Sequence, residues 1–173
     1  MSEMVLDSYG TRRWHENDRL HHLGGPAVIY MDGTCEWWQN GKLHRTDGPA
    51  IEYANGDCEW YQDGNRHRID GPAVIWASGH REWYQDGKPH RLDGPAVEAA
   101  NGTCEWWVNG ERHRTAGPAI ERPDGTRIWI QHGELHRIDA PAVEAANGTC
   151  EWWVNGVRLP DHPTQEDILG ALL

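Results

Sequence analysis

Six histidines recur at a fixed 23-residue interval: His21, His44, His67, His90, His113 and His136. Such a column could bind a metal or move protons. A metal site needs three or four converging ligands, whereas neighbouring copies of a two-stranded unit lie about 10 Å apart, twice the strand spacing. A packed, hydrogen-bonded structural role therefore suits the column better. Cys35, Cys58, Cys104 and Cys150 share one place in the same period, filled elsewhere by Arg81 and Arg127. One thiol per copy makes neither a disulfide framework nor a zinc set. Carboxylates offer general acid–base chemistry if they face each other. The turn register derived below sets Glu52 opposite Glu59, Glu98 opposite Glu105 and Glu144 opposite Glu151. Three identical pairs, two of them beside Arg68 and Arg114, read as charge pairing in a scaffold. Ser2, Ser8 and Ser78 stand in no triad-like context, and no GxSxG, P-loop or GxGxxG stretch occurs. The sequence thus points away from an enzyme and calls for no metal or cofactor.

The elements that carry these residues are copies of one phrase. From Gly41 it reads GKLHRTDGPAIEYANGDCEWYQD, and it begins again at Gly64, Gly87, Gly110 and Gly133. Asp18 opens a degenerate first copy and Gly156 a truncated last one. A fixed period of this length signals stacked supersecondary units. Each copy holds two turn dipeptides, such as Asp32-Gly33 and Asn40-Gly41, of the kind that supply positive φ at both centres of a type I′ hairpin. No room for a helix remains between them. With Asp32-Gly33 at a two-residue tip, Val28 faces Trp37, and the same pairing recurs through Val143 and Trp152. With Asn40-Gly41 at the second tip, Glu36 faces Arg45. Residues 42–53 become one strand broken at Asp47-Gly48-Pro49, pairing backwards with its first half and forwards with its second. A one-strand-per-coil solenoid would stack Glu36, Glu59, Glu82 and Glu105 at about 4.8 Å, a column of touching like charges, so the meander is preferred.

The expected fold is an all-β, elongated antiparallel meander with two strands per repeat and a short C-terminal capping helix. Residues 1–17 form a half-repeat cap, in which Gly10 and Trp14 match Gly33 and Trp37. Residues 18–156 form six repeats, and 157–173 a C-terminal cap. Thr164 and Asp167 resemble a capping box, and Ile168, Leu169, Leu172 and Leu173 give the helix an apolar side. That side would cover the last strand edge or, alternatively, make a homodimer contact.

The chain carries a net charge of −11, spread along the array. This excludes a direct nucleic-acid binder, which needs a basic stripe. There is no 18-residue apolar run, and the opening MSEMVLDSYG lacks a signal-peptide core. A soluble cytoplasmic protein without membrane contact is expected.

The stretch Trp-Tyr-Gln-Asp-Gly-Lys at 83–88 and its equivalents resemble a MORN-type repeat, most closely the bacterial variant found in antitoxin-like proteins. The HRxDGPA string at 67–73 and 90–96 resembles repeats of phage-encoded proteins, whose setting would be the host cytoplasm. The resemblance spans residues 10–156. It implies sheet arrays that bind proteins or, in some members, membranes. The family's usual His-Gly-x-Gly is His-Arg-x-Asp-Gly-Pro here, and the acidic charge also disfavours anionic lipid.

Positions that vary between copies are the candidates for binding. Beside each fixed Trp stand Trp38, Tyr61, Tyr84, Trp107, Ile130 and Trp153. Strand alternation points them away from the Trp37 row. Trp38, Tyr61, Tyr84, Trp107 and Trp153, with Glu52, Glu59, Glu98 and Glu105, would make an aromatic and acidic face for a basic partner protein. Blocking that partner, for instance by filling its nucleic-acid channel, fits the resemblance. The alternatives are a sponge for nucleotides or carbohydrates and an assembly scaffold. The fifth copy departs most, with Ala116 for Asp and with Ile128 and Ile130. Arg112, Arg122 and Arg127 there are candidates for a secondary contact.

Overall fold

The computed structural model describes residues 2–173. The chain forms two compact units, one through Lys88 and one from Pro89. Both are antiparallel meanders of short strands, and one helix, Gln165–Leu172, ends the chain. In the first unit the sheet runs Glu3–Leu6, Arg12–Glu16, Val28–Ile29, Cys35–Glu36, Ile51–Glu52, Cys58–Glu59, Val74–Ile75, Arg81–Glu82. In the second it runs Val97–Glu98, Cys104–Glu105, Ile120–Glu121, Arg127–Ile128, Val143–Glu144, Cys150–Glu151. Each copy thus gives two strands to the main sheet. It also carries a small side hairpin, such as Trp38–Gln39 against Lys42–Leu43. Side hairpins of neighbouring copies join through Gly64 N to Leu43 O, 2.9 Å, and Arg45 N to Tyr61 O, 3.1 Å.

The second turn has the expected form. Gln39 pairs with Lys42, and Asn40 and Gly41 have φ of 51° and 80°. The first turn does not. Val28 pairs with Glu36 and Ile29 with Cys35, so the loop holds three residues, Met31, Asp32 and Gly33. Gly33 alone among them has positive φ, 92°. The Asp32 side chain accepts from Thr34 N at 2.8 Å. This Asx cap accompanies a type I turn with a G1 bulge, in which the left-handed residue is glycine; the same loop forms at Ser78-Gly79. Asn55, Asn101, Asp124 and Asn147 repeat the cap.

A slip of one residue moves a whole set of side chains to the other face. The expected Val28–Trp37 pairing is therefore corrected to Val28–Glu36, and Ile51 and Val74 likewise pair with Glu59 and Glu82. The facing carboxylates are corrected too: Glu52, Glu98 and Glu144 lie opposite Cys58, Cys104 and Cys150. The Glu36–Arg45 ladder does not form, because the chain leaves the side hairpin after His44, whose N bonds Trp37 O at 3.0 Å. Residues 42–53 are two short strands separated by a loop, and Ile51–Glu52 pairs on both of its sides.

The core is thin. Ala27, Ala50, Ala73, Ala96, Ala119 and Ala142 are fully buried, and the largest fully buried side chains are Val28, Val74 and Val154. Trp14 N donates to Ala27 O as Trp37 N does to Ala50 O, so the N-terminal half-copy docks like the others. Thr164 and Asp167 form the expected capping box. The helix touches the last side hairpin, where Asn155 Nδ2 donates to Ala171 O at 3.2 Å, and it leaves Leu169, Leu172 and Leu173 exposed. No helix among the described residues is long and apolar enough to cross a membrane.

Candidate partner-binding edge

The HRxDGPA string folds into a loop organised by its arginine. Arg45 donates from Nε to Asp47 at 2.9 Å and from Nη1 to Pro49 O at 3.1 Å and Glu52 at 2.7 Å. Its guanidinium lies 3.9 Å from the centre of the Trp37 ring. Arg68, Arg114 and Arg137 stack in the same way on Trp60, Trp106 and Trp129. The geometry explains the glycine: a Cβ on Gly48 would stand 2.8 Å from the Arg45 guanidinium carbon.

The histidines fasten each loop to the next side-hairpin turn. His44 Nδ1 accepts from Asp63 N at 3.2 Å, and His21, His67, His90, His113 and His136 take the equivalent amide. An amide N–H can only donate, so the Nδ1 of His21, His90 and His113 is an acceptor, while the Nδ1 of His44, His67 and His136 also lies 3.1, 2.9 and 2.8 Å from the side-chain oxygen of Asp63, Asp86 and Asn155. In the fifth copy the donor belongs to His132, whose ring meets His113 edge-on at 4.5 Å. Burial, then the His132 charge, hold His113 below the usual histidine range.

On the opposite face the carboxylates are internal. Glu36 accepts from Tyr30 Oη at 3.1 Å and Trp38 Nε1 at 2.7 Å. Glu59, 7% exposed, accepts from Tyr53 Oη, Tyr61 Oη and Arg66 Nε at 3.1, 2.8 and 2.9 Å. Glu105 takes Trp107 Nε1 and Arg112 Nε, and Glu151 takes Trp153 Nε1. Residues i and i+2 of a strand share a face, which is why Glu-Trp-Trp and Glu-Trp-Tyr stretches close on themselves. Burial first, then the Glu59 charge, push the Tyr53 hydroxyl up to about 12. Burial and Glu82 raise Tyr84.

The candidate residues are thereby placed. Trp38, Tyr61, Tyr84, Trp107 and Trp153 are half-buried, with polar ends turned onto glutamates of their own copies. Glu59 and Glu105 sit among them, while Glu52 and Glu98 lie on the other face against Arg45 and Arg91. In the fifth copy Arg112 stacks on Trp107, Arg127 stands between Glu121 and Glu144, and Arg122 lies in a turn, exposed. Ile128 and Ile130 join Ala119, Ile120 and Leu135 in an apolar cluster. Ile, Ile and Leu there replace the carboxylate, aromatic and arginine of Glu59, Tyr61 and Arg66 as a set.

Sequence reasoning missed the outer edge of the loops. The loop arginines expose 21–28% of their side chains, whereas Asp47 and Asp70 expose 82% and 83%. Hydrogen bonds from Arg45 and Arg68 hold these two carboxyls below the usual range. Asp63 and Asp86, at the adjoining side-hairpin turns, are equally exposed. The first unit therefore presents Asp47, Asp63, Asp70 and Asp86 along one edge, with Leu23 and Ile69 at exposed loop tips. In the second unit the equivalent places hold Asp93, Ala116 and Asp139 on the loops and Asn109, His132 and Asn155 on the turns. Between the loops of Arg45 and Arg68 runs an open groove of about 470 Å³ with Trp60 and Gln62 in its lining. A scan against protein-family models and a search of the curated proteins returned no match to this chain.

Proposed function

We propose that this chain is a non-catalytic, MORN-like repeat protein of the cytoplasm that binds a basic partner protein through the acidic loop edge of its first unit. The observation that carries the reading is the sorting of charge. Arginines are stacked inward on tryptophan rings, and their aspartate partners stand in solvent, so the surface is more acidic than composition alone implies. Such an edge steers a cationic surface and fixes its register. The exposed Leu23 and Ile69 supply apolar contacts beside the charges. The natural target of a row of carboxylates is a surface that otherwise holds phosphates, so the chain acts as an inhibitor that competes with nucleic acid for its partner. A partner captured from the native host, purified and identified by mass spectrometry, provides the test. A short oligonucleotide that binds this partner should displace the chain, and formation of a ternary complex would contradict the reading.

A further inference from the structure

We infer that the groove beside Arg114 in the fifth copy is a binding site for a monocarboxylate with an apolar body. In four other copies Nε of Arg45, Arg68, Arg91 and Arg137 donates to Asp47, Asp70, Asp93 and Asp139 at 2.9–3.2 Å. Those loops neutralise their own guanidinium. In the fifth copy Ala116 stands where the aspartate would be. Arg114 keeps its ring stack at 3.8 Å on Trp106 and its Nη1 bonds to Pro118 O at 3.0 Å and Glu121 at 2.8 Å. Among the described residues no carboxylate meets its Nε. A buried or half-buried guanidinium edge is a strong, directional donor to an outside carboxylate.

A second substitution falls in the same groove. The lining residue that is Gln39 or Gln62 in the first unit's grooves is Val108 here. The groove measures about 660 Å³ against about 470 Å³ for the one between Arg45 and Arg68. Leu92, Trp106, Val108 and Ala116 are apolar members of its lining, and Arg114 lines it beside them. Arg91, the other guanidinium of the lining, already meets Asp93 and Glu98, so a second ligand carboxylate has no partner there. The chemistry selected is one carboxylate on an aliphatic or aromatic body: a free organic acid, or the C-terminus of a polypeptide ending in an apolar residue. This site lies in the second unit and does not depend on the acidic edge of the first.

The test uses the full chain, labelled so that arginine Nε–H signals are resolved by NMR, and titrates N-acetylleucine against N-acetylleucine amide. The acid should move the Arg114 signal saturably and the amide should not. Ala116→Asp, which restores the motif of the other copies, should weaken the acid at least about tenfold, the worth of one charge-assisted hydrogen bond. A peptide with a free C-terminal leucine that binds more tightly than N-acetylleucine identifies a polypeptide end as the ligand, and equal binding identifies a free acid. No saturable shift, an equal response to the amide, or unchanged binding in Ala116→Asp overturns the inference.

Discussion

The Arg68 guanidinium lies 4.2 Å from the centre of the Trp60 ring while its Nε reaches Asp70 at 2.9 Å and its Nη1 reaches Pro72 O at 3.2 Å. One side chain thus ties a strand end to the loop that follows it. The arrangement uses the planar fork of arginine, with a ring beneath it and acceptors in its plane. It also sets the electrostatics of the surface, since the cation is held in and the carboxylate is held out.

Arg68→Lys should destabilise the chain by about 1–2 kcal/mol, because an ammonium cannot stack and reach two acceptors at once. Arg68→Ala should cost about 2–3 kcal/mol, since Pro72 O then also loses its donor. Urea denaturation measures both. A lysine variant as stable as the parent would show that the stack is incidental.

The fifth-copy cluster predicts a non-additive set. Ile128→Glu alone places a carboxylate among Ile120, Ile130 and Leu135 without the counterparts of Tyr61 and Arg66 that bond Glu59, and should cost about 2 kcal/mol. Adding Ile130→Tyr and Leu135→Arg recreates the Glu59, Tyr61 and Arg66 group and should recover most of that loss. Denaturation of the single and triple variants decides it. A triple variant no better than the single would refute the reading of these residues as interchangeable sets.

His113 gives a pH dependence. Its pKa is lowered in the folded chain from 6.5, so between that value and the folded one the unfolded chain binds more protons. Stability therefore rises with pH across this window, and it falls as pH drops below about 6.5. His132→Asn removes the like-charged neighbour and copies Asn109 and Asn155. It should move the His113 titration up, as NMR would record, and flatten the acid loss. An unmoved His113 titration would assign the shift to burial alone.

Tyr53 gives the alkaline counterpart. Its hydroxyl, raised to about 12, binds a proton in the folded chain that the unfolded chain has lost near 10. Stability should fall as pH rises from 10 towards 12. Glu59→Gln removes the nearby charge and should lower the Tyr53 titration, followed by tyrosinate absorbance. An unchanged midpoint would show that burial acts alone.

Much of the fold is legible in the sequence, and two near-identical dipeptides show where legibility stops. Asn40-Gly41 and Asp32-Gly33 carry the same local signal, yet one becomes a two-residue turn and the other a three-residue loop. The Asp32 side chain caps Thr34 N, but Ser78-Gly79 makes the same three-residue loop, so the dipeptide alone does not set the loop length. That single residue of register moved the valines from Trp37 onto Glu36. The aromatic row was legible as a row. Its inward hydrogen bonds could have been read from the Glu-x-aromatic spacing of Glu36 and Trp38, since alternate strand residues share a face. The exposed edge was hidden because His44, Arg45 and Asp47 look alike as charges. Only the three-dimensional loop shows that the ring-stacked arginine is enclosed and the aspartate is not.

The most direct measurement compares the parent chain with the variant carrying Asp47→Asn, Asp63→Asn, Asp70→Asn and Asp86→Asn for binding to the captured partner at low and high salt. Loss of these four charges should weaken binding at least about tenfold at low salt and flatten its salt dependence. Equal affinity and an equal salt dependence in the folded variant would contradict the assignment of the acidic edge as the binding surface.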